Sequence, residues 1–172
     1  MLDRREFLLA ALGAVTGGTA AAAALPALPA PTGEVILTVS GDLAVSNDAG
    51  VARFDRELLD SLGHAELVTA TPWTDGVSRF GGVPALRLVE ALGSRAALLE
   101  ARALNDYAVS IPRDDLEAYP VLLATSRDGQ PLAVRERGPI WVIYPWSQHP
   151  ELDQRIYRQR SIWQLSALRL VA

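Results

Sequence analysis

After residue 33 the chain never runs far before a turn signal stops it. Glu34-Val-Ile-Leu-Thr-Val-Ser40 has the β-branched content of a strand and ends at Gly41-Asp42. Leu67–Thr71, Ile140–Tyr144 and Ile162–Val171 read as further strands. Leu98–Leu104 and Tyr107–Ile111 flank Asn105-Asp106, a β-turn pair. Val121–Thr125 and Leu132–Val134 flank Asp128-Gly129, a strong hairpin signal. The helical stretches are equally short. Phe54–Gly63 has Asp55 as N-cap and Gly63 as stop. Pro84–Leu92 sets Leu86, Val89 and Leu92 on one face, with Pro84 near its start and Gly93 past its end. Pro112–Tyr119 and Pro150–Tyr157 predict a turn or two each. This alternation of short strands and short helices suggests an α+β or mostly-β single domain.

The first residues read differently. Arg4 and Arg5 precede Glu6-Phe7-Leu8 and an uncharged stretch that lasts to Ala30. A positive start, an apolar run and a small-residue site at Ala22-Ala23-Ala24 describe a signal peptide. The Arg-Arg-x-Phe-Leu core resembles the twin-arginine export signal, with Asp3 and Leu9 at the flanking positions that usually hold Ser/Thr and Lys. The expected division is a leader over residues 1–24, an Ala/Pro linker over 25–33 and a globular domain over 34–172, with a periplasmic or otherwise exported location. A retained anchor is the competing reading, since about 20 apolar residues span a bilayer. Gly17-Gly18, Pro26 and Pro29 interrupt the stretch and argue against it. Contact with a membrane is expected only through an uncleaved leader.

Composition excludes several chemistries. With no cysteine, disulfides, thiolate metal sites and cysteine nucleophiles are ruled out. Two histidines, His64 and His149, do not make a common zinc site, so no metal ligands are expected. All 16 cations are arginine against 20 acids, a formal charge of −4, so nucleic acid is not the expected partner. Ser110, Ser147 and Ser161 lack a G-x-S-x-G context, which leaves hydrolysis unsupported.

Three loops have binding composition. Thr71-Pro-Trp-Thr-Asp-Gly76 offers Trp73 as a stacking platform and Asp75 as an acceptor, or else a capped turn with Trp73 covering the core. Arg135-Glu-Arg137 presents two guanidinium groups to an anion, or to solvent. Tyr144-Pro-Trp-Ser-Gln-His149-Pro-Glu151 brings Trp146 and His149 together, with Arg158 or Arg160 nearby. His149 equally caps the helix expected from Pro150.

Taken in order, Tyr107-Ala-Val-Ser-Ile-Pro112, Val121-Leu-Leu-Ala-Thr125, Asp128-Gly-Gln-Pro-Leu132 and Gly138-Pro-Ile-Trp-Val-Ile-Tyr-Pro145 resemble the molybdopterin-binding domain of the sulfite oxidase family. Asp75–Leu88 is similar to the family's small-residue loop and following helix, and Ile162-Trp-Gln-Leu165 to one of its strands. The resemblance implies that family's mixed α+β fold around a molybdenum–pyranopterin cofactor. It implies a place for Tyr107 beside the metal, its phenol donating to an oxyanion, with Asp106 and Arg79 around the pocket; Asn105 of the same turn is a further candidate for ligand binding. The departure is the metal ligand. The family uses a cysteine thiolate in the loop before Asp75, where this chain has Thr69-Ala-Thr-Pro-Trp73. Thr71, Thr74 and Asp75 offer only oxygen. Molybdopterin as a cofactor therefore rests on the resemblance alone, and the missing thiol stands against molybdenum catalysis. Two further readings stay open: an active periplasmic oxidoreductase with a non-cysteine ligand, and a periplasmic module on the same fold that binds a small anion or a protein partner.

Overall fold

A computed structural model describes residues 27–172, so the expected leader lies outside the described residues. In chain order the elements are β1 (Leu37–Gly41), β2 (Ala52–Phe54), α1 (Arg56–Ser61), β3 (Ala65–Ala70), β4 (Val77–Pro84), α2 (Ala85–Ala91), β5 (Leu98–Ala103) and β6 (Ala108–Pro112). Then come α3 (Arg113–Ala118), β7 (Leu122–Arg127), β8 (Gln130–Pro131), β9 (Trp141–Ile143), α4 (Arg155–Arg160) and β10 (Leu165–Val171). Short 3₁₀ turns occupy Val134–Glu136 and Pro150–Leu152. The fold is α+β.

Two five-stranded sheets carry it. One runs β2-β1-β10-β5-β6, and in it β1 lies parallel to β10. The other runs β3-β4-β7-β8, with β9 paired to β7. The main core joins both sheets: Leu37, Val39, Leu99 and Leu170 of the first pack in one cluster with Val83, Leu123 and Val142 of the second. Alternation in β5 follows from that packing, since Leu99, Ala101 and Ala103 face inward while Leu98, Glu100 and Arg102 face water. The second sheet is covered on both faces. Leu122, Ala124, Trp141 and Ile143 turn away from the main core into a second cluster with Leu67, Phe80 and Leu132. That is why β7 and β9 read as unbroken apolar runs.

Local signals placed α1 correctly. The Asp55 carboxylate accepts from the Leu58 N–H at 2.8 Å, the expected N-cap. The same carboxylate accepts from the N–H groups of Thr32 and Gly33, both at 2.7 Å. Asn47 donates to the Pro29 carbonyl at 2.7 Å, so residues 29–33 are tied onto the domain.

Four sequence expectations need correction. Residues 77–84, read as a loop leading into a helix, form the eight-residue strand β4 between β3 and β7. Gly82 permits this: a Cβ there would lie 2.0 Å from the Leu123 carbonyl oxygen. The strand expected over Leu132–Val134 is only Gln130–Pro131, because Leu132 turns into the second cluster. Pro150–Tyr157 is not one helix; a 3₁₀ turn ends at Leu152, which is fully buried, and α4 starts at Arg155. Strand β2 was not anticipated, since Ala52-Arg-Phe54 is too short to carry a periodic signal.

Candidate functional site

All four tryptophans of the chain meet in one place. Trp73 is the hub, with ring centroids 6.0 Å from Trp141, 6.0 Å from Trp146 and 5.7 Å from Trp163. The last two contacts are edge-to-face, the favoured arrangement of aromatic quadrupoles. Trp141 is fully buried on β9 and Trp163 is 36% exposed just before β10. The Arg137 guanidinium stacks 5.0 Å from the Trp141 centroid and 5.6 Å from that of Trp163. Arg137 reaches them from a left-handed residue that closes the 3₁₀ turn after β8.

Beside this cluster opens a cavity of about 370 Å³. Trp73, Trp163 and Ile162 form one side, Ala103, Asn105 and Tyr107 of the β5–β6 hairpin another, and Arg155, Arg158 and Gln159 of α4 a third. Tyr107 holds the hairpin to α4, donating its hydroxyl to the Gln159 carbonyl at 3.2 Å. Asn105 accepts from the Tyr107 N–H at 3.2 Å, which shapes the turn. Among the described residues no carboxylate lines the cavity. Arg158 is paired with Asp153, while Arg155 has no ion-pair partner among the described residues.

Beneath α4 lies a buried polar network. Tyr144 donates to the Asp115 carboxylate at 2.7 Å, and Arg160 donates to both its oxygens at 2.9 and 3.2 Å. Burial, and then the Asp115 carboxylate, pushes the Tyr144 phenol far above its ordinary range. It stays protonated and serves as a structural donor.

The expected site residues therefore divide. Trp73, Asn105 and Tyr107 converge on the cavity. Arg79 does not, because β4 places it in the second sheet, exposed and paired with Glu66 at 2.7 Å. Asp106 sits at the outer side of the hairpin turn, its side chain 85% exposed and paired with Arg102. Asp75 is exposed in the turn before β4. Arg135 is exposed in a separate groove with Asp128 and Glu136. Trp146 packs on Trp73 and Tyr144, and its indole N–H has no acceptor among the described residues. His149 is engaged with Glu151 at 2.9 Å and packs edge-on against Tyr119. Glu151's own backbone N–H, and then His149, hold its carboxyl below the usual range. Arg155, Gln159 and Trp163 were missed. The arginine-rich stretch 155–160 before Ile162-Trp163 was their only signal.

The loop that would carry a metal ligand is closed on itself. The hydroxyls of Thr71 and Thr74 share a hydrogen bond at 2.9 Å, Thr71 also accepts from the Trp73 N–H, and Thr71 is buried. No thiol exists in the chain, and among the described residues no three His, Asp or Glu side chains gather to hold a metal. The residues present do not fit molybdenum bound through a soft thiolate.

Two sheets packed around one core, with an aromatic cavity where a hairpin meets the last helix, define the protein as an α+β module with a ligand-sized recess. No family model and no curated protein matches the chain. Among solved structures it is similar to the sulfane dehydrogenase SoxCD from Paracoccus pantotrophus, with a TM-score of 0.59 at 17% identity. The match covers 78% of this chain and 37% of that one. The likeness is one of fold. Among the described residues no helix is long and apolar enough to cross a membrane.

Proposed function

We propose that the protein is an exported ligand-binding module built on a sulfite-oxidase-like fold, without molybdenum redox catalysis. The observation that carries this reading is the Trp73 loop. Where the resembled family presents a metal-binding thiolate, this chain has an indole locked among three others, with the neighbouring threonine hydroxyls bonded to each other. Such a loop supplies a wall for a ligand, not a ligand for a metal. The adjoining cavity of about 370 Å³ falls in the range of small-molecule sites, with mostly apolar walls and few polar groups. Export follows from the twin-arginine-like leader and supports a periplasmic site of action.

The test is to express the full-length chain in a host that makes molybdenum cofactor and exports by the twin-arginine route. Metal content and oxidised-pterin fluorescence of the purified periplasmic protein are then measured. A folded periplasmic protein with neither metal nor pterin is expected. Stoichiometric molybdenum and pterin would overturn the reading.

A further inference from the structure

We infer that the cavity between Trp73, Trp163 and α4 takes a planar aromatic anion, an aryl or heteroaryl carboxylate of one or two rings. This inference rests on the binding-module reading and specifies its ligand. Three features of the recess converge on it.

The first is charge. The chain carries more acids than bases, yet among the described residues the recess is lined by two arginines and no acid. Asp153 neutralises Arg158. Arg155 has no carboxylate partner among the described residues, so the mouth holds one uncompensated guanidinium. A cationic ligand meets repulsion there, and a neutral one covers Arg155 without replacing its water. An anion matches it, and a planar carboxylate matches the guanidinium fork in geometry as well.

The second is the wall. Trp73 and Trp163 stand at 76° to each other, so the recess presents both an indole face and an indole edge. Tyr107 adds a third ring from the hairpin. Edge-to-face and offset stacking favour a flat π-system over an aliphatic chain of equal area. Trp163 stays 36% exposed although Trp73 and Arg137 both pack on it, which leaves indole surface to be covered.

The third is preorganisation. Trp73 is wedged between Trp141 and Trp146, Arg137 bridges Trp141 to Trp163, and Tyr107 ties the hairpin to α4. The walls therefore come from three segments already fixed to one another. Binding then orders little besides the two arginine side chains.

The experiment is calorimetric titration of the purified protein with indole-3-acetate, its neutral amide and cyclohexylacetate, an aliphatic anion. The aromatic anion is expected to bind at one site, at least tenfold tighter than either control. Arg155→Gln is expected to weaken the anion about tenfold and leave the amide unchanged. Trp163→Ala is expected to weaken both aromatic probes. Both positions are solvent-accessible, and an unchanged Tm confirms that the variants remain folded. Equal binding of acid and amide overturns the charge assignment, and equal binding of the aliphatic anion overturns the aromatic one. Absence of binding by all three overturns the inference altogether. None of these results depends on the metal and pterin analysis, so the two proposals fail separately.

Discussion

Asp115 is the residue whose removal should cost this domain most among its polar groups. Its carboxylate receives the Tyr144 hydroxyl at 2.7 Å and the Arg160 guanidinium at 2.9 Å, joining α3 to the chain just after β9 and to the end of α4. Tyr144 is fully buried, and the Arg160 side chain is 18% exposed with its Nε already lacking a partner among the described residues. Asp115→Ala leaves a hydroxyl and a cation without an acceptor in the interior. Breaking a buried pair in this way costs ~3–5 kcal/mol. Arg160 retains some access to water, which places the expectation at the lower end, ~3 kcal/mol. For a domain of ~150 residues that lowers Tm by ~6–12 °C. Tyr144→Phe removes one donor and leaves the ion pair, so it should cost only ~1.5–3 kcal/mol. The double variant should be less destabilised than the sum of the two, by ~1 kcal/mol or more, because both changes delete the same bond. Replacing Asp115 by Leu together with Arg160 by Met and Tyr144 by Phe should recover much of the loss, since the cost lies in the orphaned partners. The assay is urea unfolding followed by far-ultraviolet circular dichroism, with m compared across variants. A cost below ~1 kcal/mol for Asp115→Ala at unchanged m would refute the idea that this carboxylate holds α3 and α4 in place.

Two further outcomes follow from single positions. The Leu58 N–H first, and then those of Gly33 and Thr32, hold the Asp55 carboxyl below its usual range. A depressed carboxyl stabilises the fold above its unfolded pKa, about 4, and loses that contribution as pH falls through the folded value. Asp55→Asn keeps a capping acceptor and cannot titrate, so its Tm should vary less between pH 4 and pH 2 than the wild type; identical profiles would contradict this. Gly82→Ala sets a Cβ 2.0 Å from the Leu123 oxygen and 2.8 Å from the Ala124 Cα, both backbone atoms that cannot swing aside. It should cost more than ~3 kcal/mol by urea midpoint, and a loss under ~1 kcal/mol would mean that β4 and β7 do not approach so closely.

The sequence carried the local features and lost the distant ones. Asp55 announces α1 because an N-cap acts within three residues, and the Asn105-Asp106 turn announces the β5–β6 hairpin for the same reason. Strand β4 was illegible because Gly81 and Gly82 read as a loop. Gly82 is needed in the strand because the β7 backbone passes too close for a Cβ, a fact set by a partner some forty residues later. Leu132 was read into a returning strand because it is apolar and follows Asp128-Gly129. The second core cluster claims it instead. Arg79 was drawn toward Tyr107 by its place in a resembled motif, and the register of β4 against β3 sends it to Glu66.

The site shows the same division with a sharper consequence. Trp73, Tyr107 and Trp163 come from a loop, a hairpin and the approach to the final strand. No spacing between them could have revealed that they share a cavity. What places them together is the pair of sheets, a fold similar to that of SoxCD at 17% identity. Sheet packing tolerates wholesale replacement of residues if the pattern of burial is kept. A loop tolerates replacement of its chemistry, because the sheets behind it carry the stability. The Thr71–Asp75 loop has room for one demanding group, and here that group is an indole packed against three others. Placing a metal ligand at the position of Trp73 would remove the hub on which Trp141, Trp146 and Trp163 all pack. The cluster and a metal centre are thus competing uses of the same few residues. In the proposed reading this chain has taken the first, and the recess beside the cluster is lined by Arg155, which has no ion-pair partner among the described residues.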